Sequence, residues 1–308
     1  YAADIFLSRI CADSALELEG ILGKLIAFER GNEESSWRSR GLFLASKDGG
    51  GLDFTWNNAF IEGDGGRVKK DYVYMERFRQ MFVATEKYSE TVALYAGTGF
   101  SPEASAVISA LNEGTSLFYY LGHGQYNHFV TSEVSVSDTY SLHNSSALPF
   151  VVSPVCNSGN FASLRGDCLS EALIKNPSAG ATAVIASTGE TFWRAPIVLL
   201  WKFADLLDSY TLPDTGSFSV ASILEGIRYC QATTDYSESG AQKYFYELLH
   251  LFGDSSQTVR LGQEKQLSAE YYWQPNGLQV NVFAFEDNQE IPISNAKVCL
   301  TSYNQLEE

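Results

Sequence analysis

The sequence lacks any long apolar run and has few basic residues. No stretch approaches the ~20 consecutive apolar residues that a membrane-spanning helix needs, so no membrane span is expected. The 21 Lys and Arg residues stand against 37 Asp and Glu residues, which gives a formal net charge of −16. Because no basic patch interleaved with aromatic residues occurs, the composition does not favour a nucleic acid as partner. An acidic balance of this kind is typical of a solvated surface.

Cysteine is also scarce, with five residues in a chain of 308. No two of them form a Cys-x-x-Cys pair, and their spacing matches no zinc site, so no metal ligands are assigned. An odd number leaves at least one thiol free. A disulfide between the neighbouring Cys156 and Cys168 is conceivable, but it would remove Cys156 as a reactive thiol. The five are Cys11, Cys156, Cys168, Cys230 and Cys299.

Short apolar runs bounded by turn residues alternate with segments of helical spacing along most of the chain. The apolar runs predict strands at 2–10, 41–46, 91–95, 117–121, 148–152, 181–187 and 257–261. Helices are predicted from the Ser14 capping box to Gly31 and at 72–82, 102–111, 169–174, 196–207, 219–230 and 241–251. This alternation favours an α/β fold with three layers around a mostly parallel sheet.

Two of these predicted strands each end in a reactive residue. The run 117–121 leads into Gly122-His123-Gly124, and the run 148–152 leads to Cys156. The carboxyl ends of parallel strands share one edge of a sheet, so His123 and Cys156 are expected to face one cleft. A Cys/His pair supplies a thiolate that attacks a carbonyl carbon, with the imidazole as base and acid. The backbone N–H groups of Gly124 and Cys156 are candidates for an oxyanion hole.

Each half of this pattern also has an ordinary explanation. A single cysteine at a strand end is most often a small buried hydrophobic residue, and one His-Gly turn is a weak signal. The two together are more specific than either alone. His128 and His143 lie in polar sequence where histidine is usually solvent-exposed, which makes them natural controls for His123.

The same segments resemble the gingipain family of cysteine peptidases, whose fold is related to that of the caspases. The resemblance rests on Gly122-His123-Gly124, on Cys156 after its apolar strand, and on the segments 1–9 and 251–260. It covers about residues 1–262 and implies a caspase-like fold and a cysteine endopeptidase that acts through an acyl-enzyme. Val155 departs from the pattern, because caspase-like enzymes usually have a small residue before the nucleophile.

The resemblance extends to a third catalytic residue and to a specificity pocket. Asp48 follows the strand 41–46, where the family has an acidic residue that orients the imidazole; an ordinary Asp-Gly turn explains it equally well. Residues 188–193 resemble the loop that walls the specificity pocket, so Thr188, Glu190 and Trp193 are candidates for substrate binding. Trp193 would form the wall and Glu190 would pair with a basic side chain, although a tryptophan packed on the core is the alternative.

The proposed chemistry requires no cofactor, although the resemblance implies structural calcium. Between residues 52 and 67 lies a loop rich in glycine and acidic residues that offers oxygen ligands from Asp53, Glu62 and Asp64. Its spacing matches no EF-hand, so a simple surface loop is favoured and the metal ligands stay unknown.

Three domains are expected. Residues 1–40 form the end of an amino-terminal subdomain, 41–262 the caspase-like catalytic domain, and 263–308 the start of an immunoglobulin-like β module. In the last of these, 278–285 alternates strictly and 296–300 predicts a second strand. A sandwich of this kind takes about 100 residues, so the module is expected to be truncated. The chain begins without Met inside a predicted strand, so it is expected to be part of a longer protein.

Three functions remain open at this point. The first is a secreted or surface-bound bacterial endopeptidase that cuts protein or peptide substrates, after a basic residue if the gingipain resemblance extends to the pocket. The second is an inert relative that binds peptides or surface partners, which the absence of the upstream part of the gingipain catalytic domain would explain. The third is a transpeptidase, because an amine can resolve an acyl-enzyme as well as water can.

Overall fold

The computed structural model of the protein describes residues 7–31, 36–49, 54–56, 59–61, 70–84, 88–97, 99–193, 195–200, 203, 217–219, 224, 241–260, 267–286 and 289–293. The three candidate calcium ligands, Asp53, Glu62 and Asp64, lie outside these residues, as do Cys230 and Cys299. None of the described helices is long and apolar enough to cross a membrane.

The strands are β1 (Arg40–Ala45), β2 (Phe54–Trp56), β3 (Ala59–Ile61), β4 (Glu90–Tyr95), β5 (Leu117–Leu121), β6 (Gly124–Gln125), β7 (His128–Phe129), β8 (Phe150–Ser153), β9 (Ala183–Ser187), β10 (Ser217–Ser219), β11 (Leu249–Gly253), β12 (Thr258–Arg260), β13 (Leu267–Gln274), β14 (Gly277–Glu286) and β15 (Gln289–Pro292). The helices with defined bounds are α1 (Ala15–Arg30), α2 (Asp71–Ala84), α3 (Ala104–Asn112), α4 (Leu169–Lys175) and α5 (Ala241–Leu248). Residues 195–200 are also helical.

Six strands form the central sheet in the order β4-β1-β5-β8-β9-β11. The first five are parallel, and β11 pairs antiparallel with β9. The predicted α/β fold with a mostly parallel sheet is therefore confirmed. In this arrangement the carboxyl ends of β1, β5, β8 and β9 lie at one edge, which places the loops that follow them side by side.

Helices cover both faces of this sheet. On one face Phe43 and Tyr119 pack against α2, with the ring centroids of Phe78 and Tyr119 5.0 Å apart. On the other face Leu44 and Tyr120 pack with residues of α1, α3 and α4. Because the central strands are buried on both faces, their sequences are continuous apolar runs rather than alternating ones.

The sixth strand was not predicted from the spacing of its residues, although residues 251–260 resemble the closing strand of the gingipain family. Helical spacing predicts a helix from 241 to 251, but α5 ends at Leu248 and β11 begins at Leu249, so His250 lies in a strand. Pairing of β11 along the full length of β9 outweighs the local helical pattern. Of the predicted strand 2–10, the described part contributes one parallel bridge, between Arg9 and Phe252 on the outer side of β11.

Helix α1 begins where its sequence predicts, because the Ser14 hydroxyl accepts a hydrogen bond from the Glu17 N–H at 3.2 Å. Five apolar residues recur at helical spacing along α1, and only two of them are buried. Ile21 and Leu25 are in the core, whereas the other three members are exposed by 37% to 43%: Leu18, Leu22 and Ile26. The buried face is completed by Lys24, whose Nζ donates to two carbonyls near the end of α4, those of Ile174 and Ala179.

The described residues also form smaller sheets. The predicted loop between residues 52 and 67 contains the hairpin β2–β3, so this part of the loop prediction was wrong. Strands β6 and β7 form a second hairpin directly after His123. The alternating stretch 278–285 lies in β14 as predicted, within an antiparallel sheet of β13, β14 and β15. The predicted strand 296–300 lies outside the described residues, and the division into three domains stays a prediction.

Candidate active site

Four loops meet at the carboxyl edge of the sheet, and each carries a predicted site residue. Asp48 follows β1, His123 follows β5, Cys156 follows β8, and residues 188–193 follow β9. Since these four strands are parallel neighbours, the placement follows from the topology.

The turn that bears His123 is fixed by hydrogen bonds from beneath. The Tyr120 hydroxyl donates to the His123 carbonyl at 2.6 Å, and the Thr131 N–H donates to the Tyr120 oxygen at 3.2 Å. Gly122 completes the turn, because a Cβ atom there would lie 2.7 Å from the Tyr120 oxygen and 3.0 Å from the Ser46 Cβ atom. The backbone of the histidine is therefore held in one position.

The histidine turn and the cysteine turn are in direct backbone contact. A Cβ atom on Gly124 would lie 2.5 Å from the carbonyl oxygen of Cys156 and 2.6 Å from the Val155 side chain. Only glycine allows an approach this close. The second glycine of the Gly-His-Gly motif thus brings His123 and Cys156 to adjoining positions.

The Cys156 turn is held by a left-handed residue and a hydrogen bond. Asn157 has a positive φ of 58°, which is a strained conformation for a residue with a Cβ atom. The Ser158 hydroxyl donates to the Ser153 carbonyl at 2.8 Å. Cys156 is half-buried and its thiol is free, as are those of Cys11 and Cys168, so no disulfide joins Cys156 to Cys168.

The Cys156 sulfur lies against Thr191 of the loop after β9. The Thr191 N–H donates to Sγ at 3.2 Å, and the Thr191 Oγ1 lies 3.5 Å from Sγ. The sequence did not predict this contact.

The His123 ring contacts two other predicted residues. Its Nε2 lies 3.5 Å from Asp48 Oδ2, with the two side chains 45% and 50% exposed. This distance exceeds that of a normal N–H···O bond, and in substrate-free enzymes catalytic contacts are often long. The Trp193 ring lies edge to face with the imidazole at 4.7 Å between centroids. With Nε2 facing Asp48, Nδ1 is the ring nitrogen left to exchange a proton.

A buried carboxyl supports the Asp48 loop. Asp71 is fully buried at the start of α2, its Oδ2 accepts from the Ser46 hydroxyl at 2.6 Å, and its N–H donates to the Asp48 carbonyl at 2.7 Å. Burial, helped by the nearby charge of Asp48 and opposed by the Ser46 hydrogen bond, raises the pKa of Asp71 to about 7. Its second oxygen, Oδ1, has no hydrogen-bond partner among the described residues.

The backbone N–H groups of Gly124 and Cys156 are the two candidates for an oxyanion hole, and neither has an acceptor among the described residues. The Val130 N–H donates to the His123 carbonyl, so His123 and Val130 are a hydrogen-bonded pair of the β6–β7 hairpin. Hydrogen-bonded and non-hydrogen-bonded residue pairs alternate along an antiparallel ladder. Gly124 and Phe129 are therefore a non-hydrogen-bonded pair, so the Gly124 N–H has no acceptor in the hairpin. The Cys156 N–H also has no acceptor within the part of the chain that the structure describes.

A cleft of about 540 Å³ opens beside His123. It lies between the loops after β1, β4 and β5, and Asp48, Phe100 and Thr131 are among the residues that line it. Its size is in the range of small-ligand sites. Within the described ranges, no group of three or more His, Cys, Asp or Glu residues is arranged to hold a metal ion.

The sequence pattern of peptidase family C25 matches residues 1–260. The chain belongs to this family. Among curated C25-type relatives, gingipain R2 and gingipain R1 of Porphyromonas gingivalis are each 27% identical to it over 199 residues, or 63% of this chain. These 199 residues are 25% of gingipain R2 and 18% of one gingipain R1 sequence, so the chain spans a quarter or less of their length.

Solved structures agree on the fold of this C25 chain. The crystal structure of gingipain R, described as an Arg-specific cysteine proteinase, superposes with a TM-score of 0.72 at 20% identity. The superposition covers 95% of this chain and 69% of that one. A further solved protease superposes with a TM-score of 0.67 at 16% identity, covering 93% of this chain and 68% of the other. These likenesses establish a gingipain-type caspase-like fold.

The remaining predicted site residues are placed less directly. Glu190 is exposed, and the N–H and hydroxyl of Thr188 both donate to the Leu248 carbonyl, which anchors the loop to the end of α5. Their roles in substrate binding stay predictions. His143 is exposed, whereas His128 lies in β7 with its Nε2 3.7 Å from Glu133. The expectation that His128 is solvent-exposed in an irregular segment was therefore wrong, because it is partly buried in a strand.

Proposed function

We propose that this C25 chain is a cysteine endopeptidase in which Cys156 is the nucleophile, His123 the general base and acid, and Asp48 the residue that orients the imidazole. The observation that carries the proposal is the contact between the Gly124 backbone and the Cys156 carbonyl. This contact brings Cys156 next to His123, whose ring also lies beside the Asp48 carboxylate. Among the described free cysteines, Cys156 is half-buried, whereas Cys11 and Cys168 are buried.

The chemistry proceeds in two halves. His123 Nδ1 accepts the thiol proton, and the Cys156 sulfur attacks the peptide carbonyl carbon, whose π electrons move to oxygen. The N–H groups of Gly124 and Cys156 donate to that oxyanion. Collapse expels the amine, which takes the proton from His123. A water molecule then donates a proton to His123 while its oxygen attacks the acyl carbon. The bond between the acyl carbon and Sγ breaks, which releases the carboxylic acid product and the Cys156 thiolate.

We propose that the residue before the cleaved bond is basic, as the described specificity of gingipain R suggests. A basic side chain needs a carboxylate partner shielded from water. Glu190 is exposed, whereas Asp71 is fully buried and keeps Oδ1 unpartnered. Asp71 lies one side chain away from the His123 turn, through Ser46. Asp71 is therefore the better partner, with Trp193 as the wall of the pocket.

Peptide cleavage tests this function. Three fluorogenic peptides that differ only in Arg, Lys or Gln before the cleaved bond are offered to the wild type and to Cys156→Ala, His123→Ala and His128→Ala. We expect cleavage of the Arg or Lys peptide by the wild type and His128→Ala, and at least ~10³-fold slower cleavage by the other two. Activity in Cys156→Ala, or none in the folded wild type, would contradict the proposal and favour an inert binding protein.

The same comparison assigns the pocket. Asp71→Asn is expected to lower kcat/KM for the basic peptides by about 100-fold, while Glu190→Gln changes it by less than about 3-fold. A larger loss of kcat/KM in Glu190→Gln than in Asp71→Asn would instead identify Glu190 as the partner of the basic side chain. We further propose that the protein acts outside a bacterial cell on protein or peptide substrates and needs no cofactor for this chemistry.

A further inference from the structure

Three polar atoms of Thr191 lie close to the Cys156 sulfur. Its N–H donates to Sγ at 3.2 Å, its hydroxyl oxygen lies at 3.5 Å, and its carbonyl oxygen lies 3.8 Å from Sγ as an acceptor for the thiol hydrogen. One residue thus offers an acceptor to the thiol and two donors to the thiolate.

Two backbone hydrogen bonds join the segment after Cys156 to the segment before Thr191. The Asn157 N–H, one residue after the nucleophile, donates to the Gly189 carbonyl at 2.9 Å. The Gly159 N–H donates to the Ser187 carbonyl at 2.9 Å. The turn that carries Cys156 and the loop that carries Thr191 are therefore joined directly, and the position of the sulfur against Thr191 is built into the fold.

The same loop reaches the base. Two residues beyond Thr191, the Trp193 ring packs edge to face with the His123 imidazole. The loop after β9 thus contacts the sulfur through Thr191 and the imidazole through Trp193. A loop placed in this way can hold the separated charges of a thiolate and an imidazolium.

We propose that Thr191 is a further catalytic residue, which holds the Cys156 sulfur in the resting enzyme and stabilises its thiolate with the backbone N–H and the hydroxyl. This inference rests on the proposed function. When the proton leaves Sγ for His123, the Thr191 hydroxyl turns its hydrogen toward the sulfur. When Sγ bonds to the acyl carbon, these hydrogen bonds are released, and they form again when hydrolysis regenerates the thiolate.

The hydroxyl can be separated from the backbone by substitution. Thr191→Val keeps the shape and the N–H but removes the hydroxyl, whereas Thr191→Ser keeps the hydroxyl. The matched control is Thr182→Val, just before β9, where the hydroxyl donates to Gln257 and not to the sulfur. The readout is the rate of Cys156 alkylation by iodoacetamide as a function of pH, followed by mass spectrometry of the Cys156 peptide.

We expect the midpoint of the alkylation profile to rise by about 0.5 to 1 pH unit in Thr191→Val. Thr191→Ser should restore the wild-type midpoint, and Thr182→Val should not move it. A Thr191→Val profile that superposes on the wild type would overturn the proposal, as would an equal shift in Thr182→Val. Because alkylation needs no peptidase activity, a failure of the proposed function would appear separately, as a lack of peptide cleavage by the wild type.

Discussion

The carbonyl oxygen of Cys156 lies 2.5 Å from the position that a Cβ atom on Gly124 would occupy. A residue with a side chain at position 124 would therefore push the histidine turn away from the cysteine turn. This contact explains why the histidine is followed by glycine, because the spacing of His123 and Cys156 depends on it.

Gly124→Ala is expected to separate His123 from Cys156. A displacement of about 1 Å can slow catalysis by about 100-fold, so we expect a loss of kcat/KM of this size with the fold intact. Gly23→Ala in α1 is the control, because a Cβ atom there meets nothing within 4 Å. It should keep full activity and gain about 0.5 to 1 kcal/mol in free energy of unfolding. Steady-state kinetics measure kcat/KM, and urea unfolding measures the free energy of unfolding. Full activity of Gly124→Ala would show that the close approach at Gly124 does not position His123 against Cys156.

Tyr120→Phe removes the hydroxyl that holds the His123 turn. Losing the bonds to the His123 carbonyl and the Thr131 N–H should cost about 1 to 3 kcal/mol of stability, and the looser turn should lower kcat about 10-fold. Tyr119→Phe is the neighbouring control, because the Tyr119 hydroxyl is buried without a hydrogen-bond partner among the described residues. It should be neutral or stabilising. Equal losses in the two variants would argue against a specific role for Tyr120.

Asp48→Asn should leave the imidazole less well oriented. Because Asp48 is half exposed and 3.5 Å from Nε2, we expect kcat to fall by about 10- to 100-fold, less than the ~10⁴-fold loss known for a buried catalytic aspartate. Glu133→Gln removes the comparable carboxylate beside His128 and serves as the control. An Asp48→Asn enzyme as active as Glu133→Gln would show that Asp48 belongs to an ordinary turn.

Asp71 should make stability depend on pH. Its pKa is raised from 3.8 to about 7, chiefly by burial, while the Ser46 hydrogen bond and Lys70 oppose this shift. The folded chain therefore holds the proton more tightly than the unfolded chain, so the contribution of Asp71 to stability is complete below pH 3.8 and is lost as the pH rises to 7.

Asp71→Asn cannot ionise and should escape this loss. We expect the free energy of unfolding of Asp71→Asn, measured relative to that of the wild type, to increase by about 2 to 4 kcal/mol as the pH is raised from 4 to 8. Urea titrations at several pH values measure the difference. A difference that is constant with pH would show that Asp71 titrates normally in the folded state.

The central strands could be predicted from the sequence, and with them the positions of His123 and Cys156 after two of the strands, because burial on both faces leaves unmistakable apolar runs. The strand β11 could not, because its apolar residues continue a helical spacing and only pairing with β9 decides its structure. In α1 the sequence shows which residues are apolar, but the position of α4 decides that Ile21 is buried and Leu22 is not.

Asp71 and Thr191 escaped prediction for a related reason. An aspartate in the first turn of a helix is ordinary, since it favours the helix dipole, and nothing nearby in sequence marks this one as fully buried. Thr191 lies within the segment compared with the specificity loop, but its contact with Cys156 depends on the bonds between the two turns. Both proposed roles depend on contacts between segments that are distant in the sequence.

The most direct test of the account is the site of labelling by a thiol-directed acyloxymethyl ketone that carries arginine. The full chain is incubated with the reagent, and the adduct is located by mass spectrometry in the wild type, in His123→Ala and in His128→Ala. The account predicts one adduct, on Cys156, which is lost in His123→Ala and kept in His128→Ala. No adduct, or labelling spread evenly over the cysteines, would contradict it.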